Sequence, residues 1–292
     1  MRVISKSLLA GACALVLIAA CAGNDAPAAN QIAAAEPDDL AQATAKPAND
    51  DYTPQVGQAG KDVVWVPTPQ ALVERMLDMA ELTPQDYLVD LGSGDGITVI
   101  AAAKRGAKAL GVEYNPDLVD LARQRAEAEG VSGRASFIQA DIFTTDFSKA
   151  DVVTLFLLPA LNLKLRPILL DMKPGTRVVS NTFDMAEWQP DQTAEAGGSC
   201  TSYCKAMLWI VPAKVAGEWS LGSQRLVLQQ TFQMLEGSLG APSNPRPISD
   251  ARMDGREIRF SVGADQYVGD VDGDRISGTI NGRQPWTATR VK

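Results

Sequence analysis

Two hydrophobic rhythms divide this chain. From Val63 to about Ala213, short apolar runs alternate with segments of helical period, and after about Gly217 apolar positions recur every second residue. In the first part, Leu72, Met76 and Met79 fall on one face and predict a helix over Pro69 to Ala80, with Thr68 able to cap it and Pro69 suited to its first turn. Further helices are predicted over Ile97 to Arg105, Pro116 to Glu129 and Leu161 to Met172. Between them, Tyr87 to Leu91, Ala109 to Glu113, Ala135 to Gln139, Val152 to Leu157, Arg177 to Asn181 and Met207 to Val211 read as strands. The fourth is almost wholly apolar, as a strand covered on both faces must be. Alternation of this kind predicts an α/β sheet with mostly parallel strands.

The second part reads as an antiparallel β domain over 217–292. Leu226, Leu228, Phe232 and Met234 alternate with Arg225, Gln229, Thr231 and Gln233, and Ile258, Phe260 and Val262 alternate with Glu257, Arg259 and Ser261. Asp254-Gly255, Asp272-Gly273 and Asn281-Gly282 are hairpin signals.

Residues 1–21 read as a targeting segment: Arg2 and Lys6 precede an apolar run, Leu8 to Ala20, too short for a membrane span. Its end, Ile18-Ala19-Ala20-Cys21, resembles a bacterial lipobox, which implies a signal peptide, lipidation of Cys21 and, with Ala22 next, anchoring to the outer membrane on its periplasmic side. A plain cleaved signal or a short N-terminal anchor is the other reading. Residues 22–60 are rich in Ala, Pro, Asp and Asn with few large apolar side chains, so they read as a disordered tether ahead of an α/β domain over 61–216.

Composition narrows the chemistry. The 292 residues carry a formal net charge of −8 and no basic stripe, which argues against a nucleic-acid partner. The chain has no histidine, which removes Ser-His-Asp and Cys-His constellations and His-containing metal sites. Apart from Cys21, the mature chain has Cys200 and Cys204, whose spacing after Gly197-Gly198 suits a local disulfide; two reduced, idle thiols are the bland reading, and no metal site is expected.

The informative segment is Val89-Asp90-Leu91-Gly92-Ser93-Gly94-Asp95-Gly96, at the end of a strand and the start of a helix. Its glycines allow a sharp turn and close approach of a ligand to the backbone. A dinucleotide would place its pyrophosphate at that helix N-terminus, where Asp90 and Asp95 would repel it. S-adenosylmethionine has no phosphate and carries an ammonium and a sulfonium, cations that suit Asp90. Glu113 ends the next strand about 20 residues on, where an acid meets ribose hydroxyls. Asp141, after the third strand, is placed to accept from an adenine amino group while Ile142 packs on the ring.

On these residues, together with Trp65-Val66-Pro67-Thr68-Pro69, Gly111 to Pro116, Val152 to Pro159 and Phe183-Asp184-Met185, the stretch from Val63 to about Asp191 resembles a class I S-adenosylmethionine-dependent methyltransferase. Within that class it is similar to the small group containing the lysine methyltransferases of the ATP synthase c-subunit and of the adenine nucleotide translocase. The resemblance implies a Rossmann-like seven-stranded methyltransferase sheet, followed here by the small antiparallel β domain. It implies S-adenosyl-L-methionine as cofactor, held by Asp90, Gly92, Ser93, Gly94, Gly96, Glu113, Asp141 and Ile142 with Thr68 nearby, and a protein lysine as acceptor. The acceptor is expected beyond the fourth and fifth strands, where Asp184 is the candidate to orient or deprotonate an amine and a helix-capping role is its other reading. Leu157-Leu158-Pro159-Ala160 lacks the amide and aromatic that nucleic-acid amino methyltransferases often carry at that place. The competing hypothesis is an envelope lipoprotein with a non-catalytic methyltransferase-like scaffold and a β domain that binds a partner or glycan. A chain that is not exported would be cytoplasmic.

Overall fold

The computed structural model describes residues 52–198 and 200–292. The targeting segment, Cys21 and the first thirty residues of the expected tether lie outside the described residues.

The α/β part runs α1 (Gln70–Met79), β1 (Tyr87–Leu91), α2 (Ile97–Lys104), β2 (Lys108–Glu113), α3 (Pro116–Ala128), β3 (Ala135–Gln139), β4 (Val152–Leu155), α4 (Pro159–Leu170), β5 (Arg177–Asn181), β6 (Gln192–Glu195) and β7 (Lys205–Ile210). The strands form a seven-stranded sheet in the order β3-β2-β1-β4-β5-β7-β6. β1 through β5 pair in parallel, and β7 inserts antiparallel between β5 and β6. The strand order reverses between β1 and β4, and open sheets of this kind bind ligands in the crevice at the carboxyl ends beside such a switch.

Apolar side chains on the two faces of the sheet build two cores. Leu72, Met76, Leu77, Val99, Ala102, Val119 and Phe137 pack on one face with α1, α2 and α3; Val89, Leu91, Val153, Leu155, Leu165, Leu169 and Trp209 pack on the other with α4. Helix α2 is buried on almost every side, which explains its Ala-rich sequence: only small residues let it sit between the sheet and its neighbours. Gly96, at φ +82°, starts it; a Cβ there would stand 2.8 Å from Ala122 Cβ and from the Phe137 ring. Helix α3 starts as its sequence demands, with Asn115 accepting from the Asp117 amide and Pro116 in the first turn.

Several expectations need correction. Thr68 does not cap α1: the cap position is Pro69, whose ring carries no hydrogen-bonding group, and the Thr68 hydroxyl instead accepts from Asn181 Nδ2. β4 ends at Leu155, because Pro159 starts α4 two residues before the predicted helix. β6 is mostly exposed at the sheet edge and polar, so no apolar pattern marks it. Residues 52–60 are not tether: Gly57 and Trp65 bond through their backbones at 2.9 Å, Trp65 donates back to Gln58, and Ala59 pairs with Val64.

The β part comprises β8 (Gly217–Leu221), β9 (Gln224–Thr231), β10 (Met234–Ala241), β11 (Asn244–Pro247), β12 (Ser249–Asp254), β13 (Glu257–Val262), β14 (Asp265–Asp272), β15 (Arg275–Ile280) and β16 (Gln284–Arg290). β9 pairs with β8 on one side and β10 on the other, so the antiparallel order closes on itself as a barrel, with β11 an extra strand on β10. Trp219, Leu226, Leu228, Phe260, Ile276 and Trp286 fill its interior, as side chains do in small barrels. The alternation predicted through Phe232 and Met234 fails there. Phe232 is a turn residue at φ +55°, the turn shifts the phase, and Leu235 and Leu239 point inward while Met234 is 55% exposed.

That turn also docks the barrel. Phe232 stacks on buried Trp188 with ring centroids 6.1 Å apart, Gln233 Nε2 donates to the Gln189 carbonyl at 2.8 Å, and Arg252 pairs with Asp191 at 2.6 Å. Trp188 is therefore packing.

Candidate active site

The cleft lies at the carboxyl ends of β1, β2 and β4 and encloses about 1000 Å³ including its open mouth. The parallel register sets Asp90 of β1 beside Gly111 of β2 and Thr154 of β4. Thr154 Oγ1 donates to Asp90 Oδ1 at 2.6 Å. Asp90 is 6% exposed, and among the described residues no Lys or Arg pairs with it. Burial, with the charges of Glu113 and Asp95 added and the Thr154 and Thr98 hydroxyls opposing, pushes its carboxyl up to about 7. A buried anion without a counter-ion is costly, and a ligand cation would relieve it.

The loop after β1 is held from two sides. Gly92 and Gly94 adopt φ +82° and +53°, and a Cβ on Gly94 would stand 2.6 Å from the Trp65 indole nitrogen. The glycine thus lets Trp65 lie against the loop. Glu113 accepts from the Gly94 amide and from the Asn115 amide, both at 2.9 Å, tying the loop to the start of α3. Ser93 Oγ is buried with no partner. Asp95 is ion-paired with Arg125, so the negative charge of this region rests on Asp90 and Glu113 rather than on both loop aspartates.

Of the residues singled out from sequence, Thr68, Asp90, Gly92, Ser93, Gly94, Glu113, Asp141 and Ile142 all line the cleft. Gly96 does not; its missing side chain makes room for Ala122 and Phe137. Asp141 Oδ2 accepts from Lys61 at 2.5 Å and its Oδ1 from the Phe143 amide, and the Lys61 ammonium holds its carboxyl below the ordinary range. Lys61 also stands 4.9 Å over the Tyr114 ring, so the segment before α1 closes one side of the cleft. Asp184 is exposed, accepts from the Ala186 amide at 3.1 Å within a turn that opens no helix, and does not line the cleft. Cys200 and Cys204 form a disulfide.

Sequence reasoning missed Thr154, Arg125, Lys61 and Phe156. Thr154 had a signal: a lone hydroxyl in the apolar run Val152 to Leu155, one strand from an acid. Lys61 had none, because it sits where the composition changes from polar to apolar.

The site can be compared with known proteins. Residues 90–192 match the ANTKMT methyltransferase domain. The chain is 45% identical over 133 residues to a protein-lysine N-methyltransferase of Saccharolobus islandicus (strain REY15A), covering 44% of this chain and 83% of that one. It belongs to the ANTKMT methyltransferase family. The chain is also 38% identical over 151 residues to the ATP synthase C-subunit lysine N-methyltransferase of Rattus norvegicus, covering 50% of this chain and 68% of that one. A crystal structure of an RNA methyltransferase from Salinibacter ruber in complex with S-adenosyl-L-homocysteine is 46% identical, covers 51% of this chain and 96% of its own, and superposes with a TM-score of 0.48.

This ANTKMT-type methyltransferase uses S-adenosylmethionine, and its cleft fits that cofactor. The unpaired carboxylate of Asp90 can meet a ligand ammonium, and Glu113 and the apolar side chains of Ile142 and Leu118 line the same cleft. Among the described residues, no cluster of acids or cysteines is arranged to hold a metal.

Proposed function

We propose that this protein is an S-adenosylmethionine-dependent methyltransferase acting on the ε-amine of a protein lysine. The observation that carries the reading is its likeness to a protein-lysine N-methyltransferase across 83% of that relative's length, around a cleft whose deepest charge is an unpaired carboxylate.

The cofactor supplies an electrophilic methyl group on a sulfonium, already a good leaving group. The chain's work is to align the acceptor and exclude water. Asp90 orients the amino-acid end of the cofactor, Glu113 the ribose, and Asp141 with Ile142 the adenine. Trp65, Met76, Leu155 and Leu157 make the cleft beside Thr68 apolar. An amine entering it loses hydration, which favours the neutral form that can attack. The proton leaves to solvent, since Asp184 stands outside.

The same reading includes a place. The pattern from Arg2 to Cys21 supports anchoring by lipid in the cell envelope. The test is incubation of the full-length protein with methyl-tritiated S-adenosylmethionine and separated envelope and cytosolic fractions, followed by acid hydrolysis. Labelled methyl-lysine, absent with Asp90→Ala, is expected. Cofactor binding without transfer to any fraction would instead favour the scaffold hypothesis. No binding at all would remove the enzymatic one.

A further inference from the structure

We infer that Phe156, Phe183 and Tyr203 form an aromatic wall that receives the acceptor's cationic or methylated amine, and that the Cys200–Cys204 disulfide holds Tyr203 in that wall. The inference rests on the lysine reading above and names the part of the site that meets the acceptor.

Topology brings the three rings together. Phe156 follows β4 directly and lines the cleft. Phe183 lies two residues beyond β5, and Tyr203 two residues before β7. These strands are neighbours in the order β4-β5-β7, and because β7 is antiparallel its start pairs with the end of β5, Asn181 opposite Ala206. All three aromatics therefore fall on the carboxyl edge where the cleft opens. The Phe156 and Phe183 centroids are 6.1 Å apart and nearly parallel, Tyr203 meets Phe156 edge-on at 5.2 Å, and it stands 6.3 Å from Phe183.

The backbone here is held against its preference. Thr182, a β-branched residue, has φ +62°, and Tyr203 has φ +53°. Such conformations cost on the order of 1–3 kcal/mol each and persist only where surroundings impose them. Core packing does not impose the second, since Tyr203 is 40% exposed and its ring contacts are the two phenylalanines. What imposes it is the bridge: Cys200 and Cys204, four residues apart, close a small ring that contains Tyr203. A loop this short constrains little of the unfolded chain. Its main consequence is local, on the direction of one aromatic side chain. At the other side, Thr182 donates its amide to the Lys205 carbonyl at 2.7 Å, and Asn162 Nδ2 donates to the Phe183 carbonyl at 3.1 Å, fixing the second ring. Phe156 at the cleft, with Phe183 and Tyr203 packed on it, makes an aromatic cluster that suits a quaternary or protonated amine, because the ring quadrupole attracts cations. They also give the aliphatic stem of a lysine an apolar surface.

The test is calorimetric titration of the full-length protein saturated with S-adenosylhomocysteine. The probes are choline and its uncharged carbon isostere, 3,3-dimethylbutan-1-ol. The parent is expected to bind choline at least roughly fivefold more tightly than the isostere, the factor a partly exposed cation–π contact supplies. Tyr203→Ala and the double variant C200S/C204S are expected to lose that preference, and Tyr203→Phe to keep it. Choline binding by Tyr203→Ala equal to the parent, with S-adenosylhomocysteine still bound by both, would overturn the aromatic wall alone. Failure of the parent to bind S-adenosylhomocysteine would strike the methyltransferase reading itself.

Discussion

Asp90 allows the cofactor site to be tested through stability as well as affinity. Burial raises its carboxyl from an ordinary 3.8 to about 7. A rise of roughly three units corresponds to about 4 kcal/mol between the two protonation states. The folded chain holds this proton more tightly than the unfolded chain, so the group favours folding below its unfolded pKa. That contribution is lost as pH rises through the window up to about 7, and above it the free protein carries the whole cost of a buried charge. Asp90→Asn removes the charge and keeps an Oδ1 acceptor for Thr154. The variant is therefore expected to be more stable than the parent at pH 8, by up to about 4 kcal/mol, with the gain roughly halved near pH 5.5 and gone near pH 4. Half of the full gain, allowing for relaxation and water entry, is a rise of about 4–8 °C in melting temperature for a chain of this size.

Cofactor affinity should move the other way. At pH 8 the parent offers a carboxylate to the ligand ammonium and the variant an amide. Losing a charged hydrogen bond of about 1.5–3 kcal/mol weakens binding roughly 10- to 100-fold. Below about pH 7 the parent itself should weaken by about tenfold per pH unit, since Asp90 must first release its proton. Scanning calorimetry of the free protein and isothermal titration with S-adenosylmethionine, each at pH 8 and 5.5, read both effects. A variant less stable than the parent at pH 8, or a difference independent of pH, would refute the uncompensated buried charge. Unchanged affinity would refute its role toward the cofactor.

Gly96→Ala puts a Cβ against Ala122 and Phe137 at φ +82°, and should cost about 2–4 kcal/mol in urea unfolding. Asp184→Asn should leave kcat and KM within about twofold of the parent, because its carboxylate only accepts from the Ala186 amide; a tenfold fall in kcat would place it in the reaction. Arg252→Ala strips the ion pair from Asp191, whose side chain is 8% exposed, and should lower stability by about 1–3 kcal/mol in urea unfolding while S-adenosylmethionine affinity stays the same.

The cofactor half of the site was legible because its determinants are local. Asp90, Gly92 and Gly94 sit in one loop, and Glu113 and Asp141 end the next two strands, so spacing alone placed them. Gly96 lies in the same loop but does not line the cleft. A glycine in a ligand loop and a glycine under a helix look alike until the packing of Ala122 and Phe137 is known. The two loop aspartates also looked equivalent, and only the fold shows that Arg125, thirty residues away, pairs with one of them. In the barrel, alternation identified the strands but not the phase break at Phe232, because a left-handed phenylalanine in a turn carries no sequence mark.

The acceptor half is different in kind, and that difference explains why Asp184 drew notice while the three aromatic rings did not. Phe156, Phe183 and Tyr203 come from three segments separated by α4 and by the excursion through β6, and they meet only because β7 returns antiparallel beside β5. No spacing rule connects them, whereas an acid near a strand end attracts attention by type alone. Tyr203 lies beyond residue 192, where the match to the methyltransferase domain stops. Asp90, Glu113 and Asp141 thus fall within the matched span, and the residue argued to recognise the amine lies outside it, on a loop with its own covalent restraint. Specificity placed on such a loop can diverge without disturbing Asp90 or the glycine turn.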